Sequence, residues 1–246
     1  MLRDAHGAGA YAGLNALLLA EAGLTGAPAE TVEDIDVVAH WRDLGQRWEI
    51  DAQYFKPWPV CRWAQPALTA MTALMAAHPQ IGGDAIERIE VQTFHESMRL
   101  QGHTPANADE AQYALAFPLA ALVVRGQVGP LEVTGEAIHA PDILAVSQRI
   151  EILESEELSL RFPEEILSRV SVLLKDGQSF TSPITAAKGD PATAMSHAEF
   201  REKFDLLAGI SLDAASRRAI EAAVAALPGS ADCEKLLTLV LAGQGD

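Results

Sequence analysis

In the stretch YFKPWPVCRWAQPALTAM, residues 54–71, Lys56 and Arg62 stand on either side of a corner rich in proline and tryptophan. Lys56 precedes Pro57, which biases it to an extended backbone, and Arg62 falls in the first turn of a predicted helix. Two cations there oppose the helix dipole, which favours negative charge at a helix N-terminus. An anion held between the cations and that N-terminus would resolve the conflict, so the implied chemistry is anion binding. The competing reading is structural: both side chains lie along Trp58 and Trp63 as surface charges, by cation–π contact or stem packing. Spacing alone leaves the two open. Cys61 has no histidine nearby in sequence and reads as a small buried apolar residue rather than a nucleophile.

A second stretch, HGAGAYAG, resembles a phosphate loop only in its glycines, because it lacks the preceding strand and the Lys-Ser/Thr pair. Its small residues allow close backbone approach, and at a helix start they leave N–H groups for a carboxylate, with Arg3 and His6 beside them. The seven histidines show no HExxH or HxH spacing, so no metal is expected. Cys61 and Cys233 lie far apart with no CxxC motif, and neither a disulfide nor redox chemistry is expected. Eighteen Lys and Arg against thirty-four Asp and Glu give a net charge of −16, which disfavours nucleic acid and anionic membrane surfaces as partners. No run approaches the roughly 18–20 apolar residues of a membrane span, and the N-terminus lacks signal-peptide features. The expected location is cytoplasmic.

The elements that must position these residues follow from periodicity. Tyr11, Leu14, Leu17 and Leu18 predict a helix over 10–21 that stops at Gly23 and whose apolar face needs partners. Residues 28–48 read as a connection with one short helix. Trp63, Leu68, Met71 and Met75 predict a helix ending at His78-Pro79. AIERIEVQTF alternates as a strand after a Gly82-Gly83 turn, and RIEIL alternates again. DEAQYALAFPLAALVVRG predicts one buried helix from Asp109 to Gly126, kinked or shortened by Pro118. PDILAVSQ is a short helix, and SRVSVLL with SFTSPIT forms an antiparallel hairpin. Phe200, Phe204 and Leu207 open a helical C-terminal region. The expected fold class is α+β: helical segments at both ends, parts of an all-helical domain, flanking an inserted α+β domain. The expected divisions are 1–48, 49–190 and 191–246.

Four stretches, RDAHGAGAYAGLNALLLAEAGLTGA, YFKPWPVCRWAQPALTA, AQYALAFPLAALVVRGQVG and KGDPATAMSHAEFREKF, occur in the order seen in the MmgE/PrpD family, which the chain resembles. The resemblance covers nearly the whole chain and matches the C-terminal half of the usual family protein. It implies a 2-methylcitrate dehydratase-like lyase acting on a di- or tricarboxylate, by proton abstraction next to a carboxylate followed by dehydration, without a cofactor. Epimerase, isomerase or decarboxylase chemistry is the alternative within the family; a non-catalytic dimerising or binding remnant is the alternative outside it. The resemblance also implies a homodimer or heteromer, with a partner subunit supplying an N-terminal helical half and the general base.

Carried across residue by residue, Lys56 matches the lysine that opens the K-x-y-P motif and His6 the histidine of K-x-x-H-x-G. These two are the expected catalytic residues. Arg3 stands where the latter motif often has lysine, and Arg62 fits the branch that reads C-R. Arg3, Lys56, Arg62 and Gln65 are the expected substrate-binding residues. Gln65 departs from a frequent histidine, and Phe117 stands where the decarboxylase carries a tyrosine hydroxyl; both depart from cis-aconitate decarboxylase.

Overall fold

The computed structural model describes residues 5–242, and the chain divides into two compact units, Met1–Asp51 and Ala52–Asp246. In the first unit, helix α1 spans Ala5–Glu21, five residues longer at its start than its leucine spacing predicts. It ends where Gly23 takes φ 92° and Leu24 N–H donates back to Leu19 O at 2.9 Å, a left-handed stop that glycine adopts without strain. The predicted connection follows: a short α2 at Glu30–Glu33 and a 3-10 turn at Val38–Trp41. No residue of this unit whose burial is described is buried, and Tyr11, Leu14 and Leu18 are each more than half exposed. Apolar on most sides, α1 has a surface that water penalises.

In the second unit, a 3-10 turn at Arg62–Ala64 runs into α3, Gln65–Ala77, with Pro66 in the first turn. The helix ends at His78, which Pro79 biases away from helical geometry. Strand β1, Ile86–Thr93, turns Ile89, Val91 and Thr93 to the core. The single helix predicted over 109–126 is instead two, α4 at Ala108–Gln112 and α5 at Ala116–Arg125. The break arises because Leu115 N–H leaves the helical ladder to donate to Leu100 O at 2.7 Å. Pro118 then falls in the first turn of α5, where a missing N–H has no intrahelical partner to lose. Helix α6 at Pro141–Ser147, β2 at Ile150–Glu154 and a short α7 at Glu156–Ser159 complete the middle segment.

Strands β3, Leu167–Leu174, and β4, Ser179–Thr181, form the predicted hairpin around Gly177 at φ 89°, and β5 is Thr185–Ala186. The sheet order is β2-β1-β3-β4, with β5 also paired to β3. β1 and β2 run parallel, Val91 opposite Ile152, while β1 and β3 are antiparallel, Val91 opposite Val170. A parallel pair requires a crossover; α4, α5 and α6 supply it. α3 and α5 pack together, α3 lying on β3 and α5 against β2, around a core that includes Leu68, Met71, Phe117 and Val172.

Three helices close the chain: α8 at His197–Ala208, α9 at Ala214–Ala226 and α10 at Glu234–Ala242. Ser196 and Glu199 cap α8 reciprocally, and Asp213 caps α9. The architecture is α+β, one mixed sheet with helices at both ends of the chain. No described helix is long and apolar enough to cross a membrane.

Candidate functional site

The corner that carries Lys56 and Arg62 is built by two loops distant in sequence. Phe55 N–H donates to Gly189 O at 2.9 Å, and Lys188 N–H to the Thr69 hydroxyl on α3 at 3.3 Å. Thr193 closes the second loop, its hydroxyl donating to Ala187 O at 2.6 Å. Gly189 is required here: its φ is 96°, and a Cβ at this position would lie 1.8 Å from Phe55 O. The Phe55 ring meets Phe200 of α8 edge-on, centroids 5.0 Å apart, which seats that helix beside the residue preceding Lys56.

Arg62 Nη2 donates to Asp190 Oδ1 at 2.7 Å, joining the same two loops, and its guanidinium carbon lies 4.1 Å from the Tyr54 ring centroid. The stacking partner is thus Tyr54, whereas Trp63 packs edge-on against Phe94 and Phe162. Arg62 Nε is buried and has no hydrogen-bond partner among the described residues.

Gln65 is buried, and its amide bonds only to the corner's backbone. Nε2 donates to Trp58 O at 3.1 Å and Val60 O at 3.2 Å, and Oε1 accepts from Trp58 N–H at 3.4 Å. In this geometry it shapes the corner that presents Lys56 and Arg62. Substituting Gln65→Leu removes these bonds and leaves the loop's polar groups short of partners, with an expected loss of about 1–3 kcal/mol in urea unfolding. Cys61 is half-buried against the core and anchors the corner through its backbone, N–H to Gln112 O at 2.8 Å. Arg3 lies outside the described residues, as does the His6 side chain. Phe117 is fully buried in the core.

Beside the corner lies a cavity of about 470 Å³, walled on its apolar side by Trp58, Leu122 and Leu206. Its charged lining is Lys188, Glu199, Glu202 and Lys203. Lys188 Nζ pairs with Glu199 Oε1 at 3.1 Å, while Glu199 Oε2 accepts Ser196 N–H at 2.6 Å. The Ser196 backbone N–H, then the Ser196 hydroxyl and Lys188, hold the Glu199 carboxyl below its ordinary range. Lys203 is half-buried and, among the described residues, makes no ion pair; burial first, then the nearby Lys56 cation, pushes its ammonium below the usual lysine range. Among the described residues no group of three or more His, Cys, Asp or Glu side chains has metal-binding geometry.

Sequence reasoning missed Lys203, although a signal existed. Phe200, Lys203, Phe204 and Leu207 share one face of α8 by spacing, so a cation interrupts an apolar stripe.

The sequence model of the MmgE/PrpD C-terminal domain matches residues 58–228. The chain belongs to the MmgE/PrpD family. No curated protein matches it. The matched span takes in Arg62, Gln65, Lys188, Asp190 and Lys203, and begins two residues after Lys56. The family includes dehydratases and other lyases.

Proposed function

We propose that this MmgE/PrpD chain works as a lyase, or as one subunit of one, that binds a di- or tricarboxylate and dehydrates it. The observation that carries the reading is the corner itself. In a chain of net charge −16, Lys56 and Arg62 are gathered on a loop pair locked by the Phe55–Gly189 and Arg62–Asp190 bonds, and Lys56 makes no ion pair among the described residues. A partly buried lysine left without a carboxylate partner can donate to one from a ligand.

The chemistry follows from that arrangement. A base removes the proton next to a carboxylate, the electron pair forms the C=C bond, and the β-hydroxyl leaves as water after receiving a proton from an acid. Charge builds on the substrate carboxylate as the C–H bond breaks. Lys56 blunts that charge, and Arg62, oriented by Asp190, holds a second carboxylate with its remaining N–H groups. Arg3 is assigned a further carboxylate contact and His6 substrate orientation or proton transfer. The principal base comes from a helical region outside residues 52–246. The unpartnered apolar surface of α1 suits packing against such a region, on the same polypeptide or on a partner subunit. The steps are polar throughout and call for no redox cofactor. Epimerase or decarboxylase chemistry would share the first proton abstraction and differ in what leaves.

The test is coexpression of the chain with an MmgE/PrpD helical region, followed by an assay of 2-methylcitrate and citrate for the ultraviolet absorbance of a new conjugated unsaturated acid. Formation of that product, lost in Lys56→Met, is the expected result. Turnover with release of carbon dioxide, or with inverted stereochemistry and no new C=C bond, would move the assignment to a decarboxylase or epimerase. No turnover together with no citrate binding by the chain would overturn the proposal.

A further inference from the structure

The cavity beside the corner contains a lysine to which the reaction above assigns no role. Lys203 reaches it from α8, in the helical C-terminal region, whereas Lys56 comes from the loop before α3. The Phe55–Phe200 ring contact, one residue before Lys56 and one helical turn before Lys203, brings the two segments together, Pro57 lines the same cavity as Lys203, and neither lysine makes an ion pair among the described residues. Carboxylates are at hand, yet the fold directs them elsewhere. Glu199 is engaged by Ser196 N–H and Lys188, and Glu202, which also lines the cavity, sits at an exposed position of the helix and pairs with neither lysine among the described residues. The neighbouring Arg201 and Asp205 are paired with Glu221 and Arg217. Two mutually repelling ammonium groups beside an apolar-walled cavity leave room for an anion between them.

We propose that Lys203 is a third cation of the carboxylate site, and that one carboxylate of the ligand binds between Lys203 and Lys56. This rests on the carboxylate-binding reading of the corner and extends it from the 54–62 loop to α8. The cavity, about 470 Å³, falls within the ordinary range for small-molecule sites. Its apolar wall of Trp58, Leu122 and Leu206 lowers the local polarity on one side, which strengthens the charge interaction there.

A consequence separates this role from a structural one. Burial and Lys56 disfavour the ammonium in the free protein, whereas a carboxylate between the two lysines favours it. At alkaline pH, where part of Lys203 is neutral, ligand binding therefore draws a proton onto it. Affinity is full while Lys203 is already protonated and falls as pH rises through its lowered pKa. Lys188, Glu199 and Glu202 face the same cavity. Lys188 and Glu199 neutralise each other.

The probe is citrate, titrated calorimetrically into the full chain between about pH 7 and pH 10 in buffers of different ionisation enthalpy. Citrate is expected to bind wild type with net proton uptake on the alkaline side. Lys203→Met should weaken binding by about tenfold and remove the uptake. Lys203→Arg should keep the affinity within about threefold yet also lose the uptake, because a guanidinium stays charged throughout. Circular dichroism of both variants reports whether the fold is kept. If Lys56→Met abolishes binding while Lys203→Met binds citrate with wild-type affinity and proton uptake, the third-cation proposal is overturned and the carboxylate reading of the corner survives. If wild type binds no citrate at any pH, both fail.

Discussion

Replacing Gly189 by alanine is expected to abolish citrate binding at the corner while leaving the sheet in place. The residue sits at φ 96°, where an L-side chain is strained by about 1–3 kcal/mol, and its Cβ would lie 1.8 Å from Phe55 O. A flexible side chain could swing aside, but this obstacle is backbone, so the 54–56 segment or the 187–193 loop must move. Either movement breaks the 2.9 Å bond from Phe55 N–H to Gly189 O and displaces Lys56, one residue on. It also shifts Asp190, whose carboxylate orients Arg62. The main core lies on α3, α5 and the sheet, so far-ultraviolet circular dichroism should change little, with a loss of about 1–3 kcal/mol in urea unfolding. Wild-type citrate affinity in Gly189→Ala would show that the two loops do not build the site together.

A second large effect is expected at Phe117, this time on folding alone. Its ring is fully buried in the core shared by α3, α5 and the sheet. Phe117→Ala removes that apolar surface and leaves a cavity, a loss of about 3–5 kcal/mol, read as a lower midpoint in guanidinium unfolding. Phe117→Tyr is the sharper comparison, because the resemblance to the family sets this position against a tyrosine of the decarboxylase. A hydroxyl inside this core needs a partner, and without one it costs about 1–3 kcal/mol. Stability lost with no gain of decarboxylation is the expected outcome. Carbon dioxide release from a Phe117→Tyr variant would mean that this side chain faces the site.

Much of the fold was legible because its signals are local. The 3.6-residue spacing of α3 and α8 and the alternation of Ile89, Val91 and Thr93 are readable within a dozen residues, as is a hairpin turn built on Gly177. The break between α4 and α5 was not legible. It depends on Leu115 N–H finding Leu100 O, a partner from a different segment, and helical spacing carries no trace of such a competitor. Gln65 shows the same limit at the scale of a side chain. Its identity suggested a polar group for a substrate, but its amide ends in the backbone of its own corner.

Residue order was enough for the α+β class, the family, and the presence of cations at a proline-rich corner beside a helix start. Those follow from residue order, composition and short-range geometry. What those cations meet depends on how distant segments pack. Arg62 reaches Asp190 across 128 residues, Gly189 locks against Phe55, and Phe200 brings α8, which carries Lys203, against the residue before Lys56. Charge interactions and close backbone approach depend on distance in space, and that distance is set when the 187–193 loop bonds to α3 and Phe200 of α8 meets Phe55.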